Sequence, residues 1–192
     1  MSDIRLELDP RSTALVVVDL QNFTVAMNTV PTPAPKVLDN SVRLAEACRA
    51  AGIAVVLVRV GHEDHAVPSL QPRIDKGFSG FEFPPGAKEI PEELGPRKGD
   101  IVVDKYNWGA FHGTNLDTHL RRRGIRTLIV TGLVTNIGVD TTMRHAHERG
   151  YDQILVSDGV AAMSEEEHDY TLRHVAPRIS LVRTTEQVLA AL

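Results

Sequence analysis

The chain has 192 residues, 42% hydrophobic and 24% charged, with a formal net charge of −4. Roughly 70% of the unfolded surface is buried at this length, so a core forms without disulfide or metal staples. The negative balance gives no global field for nucleic acid or an anionic membrane, no apolar run is long enough to span a bilayer, and the one cysteine, Cys48, excludes an intrachain disulfide framework and a cysteine zinc finger.

Residues 1–10 alternate charged and apolar side chains and do not read as a signal peptide. Residues 13–19 (TALVVVD) are a β-branched apolar run closed by the carboxylate of Asp19, the mark of a strand buried on both faces. Residues 28–35 (NTVPTPAP) follow as a candidate lid. Residues 37–51 place Val37, Leu38, Val42, Leu44, Ala45 and Cys48 on one broad helical face, and Gly52 ends the helix. A second strand spans 53–59. Residues 61–99 are irregular and rich in proline and glycine, and so long a loop in a compact domain is usually functional or partnered.

A short strand at 101–103 leads to a helix at 115–123 that ends at Gly124. A fourth strand at 126–131 runs into a helix at 137–149 that ends at Gly150, and a fifth strand spans 153–157. Ser164 and Glu167 form a capping-box pattern opening a helix at 165–175, a sixth strand covers 179–182, and Thr184 with Gln187 opens the last helix in the same way. Strand–helix alternation with short loops implies right-handed crossovers. The expected fold is an α/β three-layer sandwich with a doubly wound, mostly parallel six-stranded sheet, in one domain over residues 1–192.

Ligands of such sheets bind outside the carboxyl ends of the strands, near the point where strand order reverses. That rule brings together Asp19, Lys105 and the segment 132–138. Each residue also has a plain structural role: a turn for Asp19, a solvated surface for Lys105, a helix cap for Thr135 and Asn136.

Three segments in order give these positions a family. LVVVDLQN carries Asp19 and Gln21, KYNWGAF carries Lys105, Trp108, Ala110 and Phe111, and GLVTNIGVDTT spans 132–142. With Asp158 in LVSDGVAAMS, they resemble the isochorismatase-like, or cysteine hydrolase, family over nearly the whole chain. The resemblance implies a hydrolase with an Asp–Lys–Cys site, and it aligns the family's cysteine with Gly138. It further implies a subgroup with glycine at that place, sharing the WGAF, LRRRGI and TNIGV segments. The catalytic set it implies is Asp19, Lys105 and Gly138, the last as a nucleophile position without a thiol. The substrate-binding set is Gln21, Phe23, Trp108, Val134, Thr135 and Val139, to which the long loop adds Arg73 as a two-bond partner for a substrate carboxylate, with a surface or interface role as its alternative. It also implies a cis peptide between Val134 and Thr135, an oxyanion site at the N–H groups of Gly138 and Val139, and a cytoplasmic homo-oligomer.

Cys48 reads as a small buried hydrophobe rather than a nucleophile, because a reactive thiolate needs an accessible, electropositive site. The leading expectation is water attack on a small, anionic metabolite, assisted by Asp19 and Lys105, with Lys105 holding a substrate carboxylate or organising the site. The alternatives are a non-catalytic metabolite-binding or scaffold member, a true isochorismatase that protonates a vinyl ether from Asp19, and a chain in which Gly138→Cys restores amidase chemistry. No cofactor and no metal are expected, since His62-Glu63-Asp64-His65 lacks a third ligand. Gln71 lies in the long loop with Arg73. Arg121–Arg123 read as a solvated helix end or subunit contact, Phe111 as core, and His145 and His147 as surface or interface residues.

Overall fold

Every residue of β1 (Thr13–Val18) is buried, as its unbroken β-branched run demands. The computed structural model describes residues 6–61, 73–75 and 83–192. Around β1 lie β2 (Ala54–Val60), β3 (Ile101–Lys105), β4 (Thr127–Leu133), β5 (Asp152–Ala161) and β6 (Leu181–Arg183), in the order β3-β2-β1-β4-β5-β6. The sheet expected to be mostly parallel is parallel throughout. Ala14, Val16 and Val18 face one layer with Leu116 and Leu120 of α3 (Leu116–Arg122) and Met143 of α4 (Asp140–Glu148). Leu15 and Val17 face the other, with Val37, Leu44 and Cys48 of α2 (Ala34–Ala50). Alternate side chains of one strand thus build both cores.

The chain winds outward from β1 to β3, then returns to place β4 on the other side of β1. That reversal leaves a crevice above the carboxyl ends of β1 and β4. Their backbones approach so closely at Gly132 (φ +127°) that a Cβ there would lie 2.0 Å from the Val18 carbonyl oxygen. A side chain is therefore excluded on both conformational and steric grounds.

Several expected boundaries shift. A short helix, α1 (Asn22–Val25), follows β1, with its Asn22 and Phe23 N–H groups donating to the Glu89 and Ala87 carbonyls. The candidate lid at 28–35 is tied down instead: Val30 and Ala162 exchange two backbone bonds of 2.9 Å, and Pro35 sits in the first turn of α2. The helix expected from Ile137 begins as a π-helical turn, Thr135–Val139, that continues into α4. After α5 (Glu165–Tyr170) a second π turn, Thr171–Val175, leads to α6 (Ala176–Ile179), and α7 (Thr185–Leu189) closes the chain. The non-proline cis peptide lies between Leu133 and Val134, one residue before the position the resemblance implied. Among the described residues, no helix is long and apolar enough to cross a membrane.

Gly132→Ala is expected to lower unfolding free energy by about 3 kcal/mol or more, since backbone lies where its methyl must go. Urea denaturation measures this, and a loss below about 1 kcal/mol contradicts the close approach of β1 and β4.

Candidate active site

Asp19 leaves β1 in a left-handed conformation (φ 52°), the one non-glycine residue with positive φ recorded among those described. Such a conformation costs about 1–2 kcal/mol for an L-residue, less for aspartate. Three local bonds hold it. Asp19 N–H donates to the Val58 carbonyl at 2.9 Å, and the Asp19 carbonyl accepts from Gln21 N–H (3.1 Å) and from the Thr24 hydroxyl (2.5 Å). The turn aims the carboxylate inward over the sheet end, where the side chain is 10% exposed.

Lys105 reaches the same place from the end of β3. Its Nζ lies 2.7 Å from Asp19 Oδ2 and donates to the carbonyls of Asn107 (3.1 Å) and Trp108 (2.6 Å). The three ammonium donors are thereby occupied, and the side chain is 2% exposed. Lys105 would have to give up one of these partners to grip a substrate carboxylate.

Burial pushes the Asp19 carboxyl up to about 6, with the Lys105 charge and hydrogen bond pulling the other way. Its two oxygens are unlike. Oδ2 is paired, whereas Oδ1 is buried and has no hydrogen-bond partner among the described residues. An unpartnered buried acceptor is costly and calls for an explanation in function or solvent.

Gly138 closes the site from the π turn. An ideal Cβ built on it would stand 2.8 Å from Asp19 Oδ2 and 3.4 Å from both the Leu133 carbonyl oxygen and Val18 Cγ1. The carboxylate oxygen thus crowds the space that a side chain at 138 would need. Thr142 links the two halves of this arrangement: its hydroxyl donates to the Gly138 carbonyl at 2.6 Å and accepts from Ala110 N–H at 3.0 Å. The loop that anchors Lys105 is so tied to the turn that carries Gly138.

The other expected binding residues fare differently. The Gln21 amide is consumed by backbone: Nε2 donates to the carbonyls of Val60 (3.2 Å) and Lys88 (2.6 Å), and Oε1 accepts from Val60 N–H (2.8 Å). It is a strut between β2 and the long loop. Val139 is buried in the core, and its N–H points to the Val134 carbonyl at 3.3 Å, so it is no oxyanion donor here. Thr135 is fully buried and its hydroxyl lies 3.1 Å from His168 Nδ1. Val134 packs half-buried on the α2 face of the sheet.

Phe23 meets Phe83 edge-on, ring centroids 4.8 Å apart, in an apolar cleft of about 580 Å³ between α1 and residues 83–87. Asp19 and Gly138 do not line that cleft. Trp108 contributes its carbonyl to Lys105 and exposes 59% of its surface. Arg73 is exposed and makes no ion pair or hydrogen bond with Asp19, Lys105 or Gly138.

Cys48 lies in the α2 core, its thiol pushed up to about 12 by burial. Asp158 caps α7, its Oδ1 accepting from Thr185 N–H (2.7 Å) and hydroxyl (2.9 Å). Phe111 is core and His147 is exposed, but His145 is half-buried against Gly109, a correction to its surface reading. Arg121, Arg122 and Arg123 are exposed. His62, His65 and Gln71 lie outside the described residues. Among the described residues, no three His, Cys, Asp or Glu side chains gather to hold a metal ion.

The isochorismatase domain model matches residues 13–187. The chain belongs to the isochorismatase family. An uncharacterized isochorismatase family protein, YecD of Escherichia coli O157:H7, is 40% identical over 187 residues, covering 97% of this chain and 100% of the relative. Ureidoacrylate amidohydrolase RutB of Pseudomonas syringae pv. syringae is 30% identical over 184 residues, covering 80% of this chain and 72% of the relative. The solved isochorismatase family protein of Burkholderia thailandensis superposes with a TM-score of 0.91 at 37% identity, covering 97% of each chain. The family is hydrolytic. Thr24, Thr142 and His168 are buried polar residues that the sequence reading gave no site role.

Gly138→Ala is expected to drive the Asp19 carboxylate off Lys105, because its methyl and Oδ2 cannot share the same space. A crystal structure of the variant checks this: an Nζ–Oδ2 separation beyond the salt-bridge limit of about 4 Å agrees, and a retained close pair contradicts the packing.

Proposed function

We propose that the protein is a hydrolase of a small molecule in which Asp19 acts as general base toward a water, with Lys105 locating the carboxylate and no thiol taking part. On this reading the chain falls in a subgroup of the isochorismatase family with Gly138 at the nucleophile position. The observation that carries it is the buried, unpartnered Asp19 Oδ1 beside a carboxylate oxygen already fixed by Lys105. A base with one oxygen anchored and the other free can accept a proton from water as that water attacks. The proton then passes from Asp19 to the leaving group.

A carboxyl titrating about 6 suits this work, since it is ionised at neutral pH yet basic enough to accept a proton. The saturated Lys105 supports a substrate whose reacting end is uncharged. Any negative charge on the substrate is then bound away from this lysine.

Vinyl-ether hydrolysis, the true isochorismatase reaction, makes the opposite demand. There Asp19 must be protonated to deliver a proton to carbon, and activity falls as pH rises through about 6. A non-catalytic binding role is supported by the position of the carboxylate, which fills the space a side chain at 138 would take.

The test is a panel of small amides, ureido compounds, esters and isochorismate, with product release measured against Asp19→Asn. The expected outcome is turnover reduced about 10²–10⁴-fold in the variant, the range for a lost general base. For the wild type, kcat/KM is expected to rise with pH and level off above about 6. Turnover equal in wild type and Asp19→Asn overturns the proposal. Saturable binding without product favours the binding role, and a falling profile through about 6 favours the vinyl-ether reaction.

A further inference from the structure

We infer that His168 is a positioning residue, acting through Thr135 to hold the π turn that presses Gly138 against the Asp19 carboxylate. The inference rests on the reading of Asp19 and Gly138 as the site. His168 lies on α5, is 5% exposed, and touches neither Asp19 nor Lys105 by any ion pair or hydrogen bond among the described residues. Its Nδ1 stands 3.1 Å from the hydroxyl of Thr135, which is itself fully buried. Two residues buried this deeply with a side-chain bond between them fix one another's place.

Thr135 opens the turn, and its carbonyl accepts from Asp140 N–H where the turn passes into α4. The Ile137 and Val139 N–H groups share one acceptor, the Val134 carbonyl, at 3.1 and 3.3 Å. A π turn is an irregularity within a longer helix, and side-chain contacts from outside bear on where it sits. Two do so here: Ala110 N–H through the Thr142 hydroxyl that bonds the Gly138 carbonyl, and His168 at Thr135. The first ties the turn to the Lys105 loop, and the second ties it to the opposite side, α5. A Cβ at 138 would stand 2.8 Å from Asp19 Oδ2, so the position of the turn decides how closely the carboxylate is covered. Loss of the α5 tie lets the turn move outward, and water then enters beside the carboxylate.

Burial lowers the His168 pKa, with Asp169 opposing. The ring is therefore neutral at neutral pH and can accept from, or donate to, the Thr135 hydroxyl.

The experiment needs no substrate. The side-chain carboxyl of Asp19 is titrated by ¹³C NMR in the wild type, His168→Leu, Thr135→Val, the double variant and His168→Asn, whose amide replaces the Nδ1 contact. His168→Leu and Thr135→Val are each expected to lower the midpoint by about one pH unit as water solvates the carboxylate. The double variant is expected to shift no further than either single one, and His168→Asn to stay near the wild type. Reduced thermal stability without a shift of the Asp19 midpoint in either single variant overturns the inference, as does an additive shift in the double variant. Should His168→Leu fail to fold, Thr135→Val decides alone. Absence of turnover on any substrate overturns the hydrolase reading instead and leaves this titration unaffected.

Discussion

A carboxylate removed from water needs a cation at short range, and Lys105 supplies it to Asp19 at 2.7 Å. The pairing is unequal by construction. Lys105 is saturated by one carboxylate oxygen and two backbone carbonyls, whereas Asp19 keeps one oxygen without a partner among the described residues. Breaking such a buried pair by removing one member typically costs about 3–5 kcal/mol, because the survivor is left charged and dry. The surrounding loops reflect that constraint. Residues 107 and 108 serve as acceptors for the lysine, and α1 begins where the Asp19 turn permits.

The pair sits where it does because of topology. The return of the chain from β3 to β4 sets the ends of β1 and β4 side by side, and Gly132 allows those backbones to touch. From there the π turn delivers Gly138 to the carboxylate, with Thr142 and His168 fixing it from two sides. A second glycine thus completes what the first begins: neither position admits a β-carbon without moving β1 or Asp19. A cysteine at 138 would meet the Asp19 carboxylate in its present place, so the glycine and the carboxylate position belong together.

Much of this was legible in the sequence, for a physical reason. Asp19, Lys105 and Gly138 lie at the ends of strands whose apolar runs are unmistakable, and the reversal of strand order brings such ends together. The six strands and most helices follow from the same runs and from capping patterns at Ser164 and Thr184. What was not legible depends on partners far along the chain. The resemblance placed Gln21 among the ligands; its acceptors, Val60 and Lys88, are 39 and 67 residues away. Thr135 and Val139 flank the glycine in sequence, yet one is spent on His168 and the other on the core. The π turn departs from the 3.6-residue period on which helix recognition rests, so its start was misplaced by two residues.

The central claim is that burial outweighs the lysine and leaves Asp19 a poised base rather than an ordinary ion-paired carboxylate. A ¹³C titration of the Asp19 carboxyl in the unmodified protein tests it most directly. A single midpoint about 6 is the predicted result, and a midpoint at or below 3.8, the ordinary carboxyl value, would contradict it.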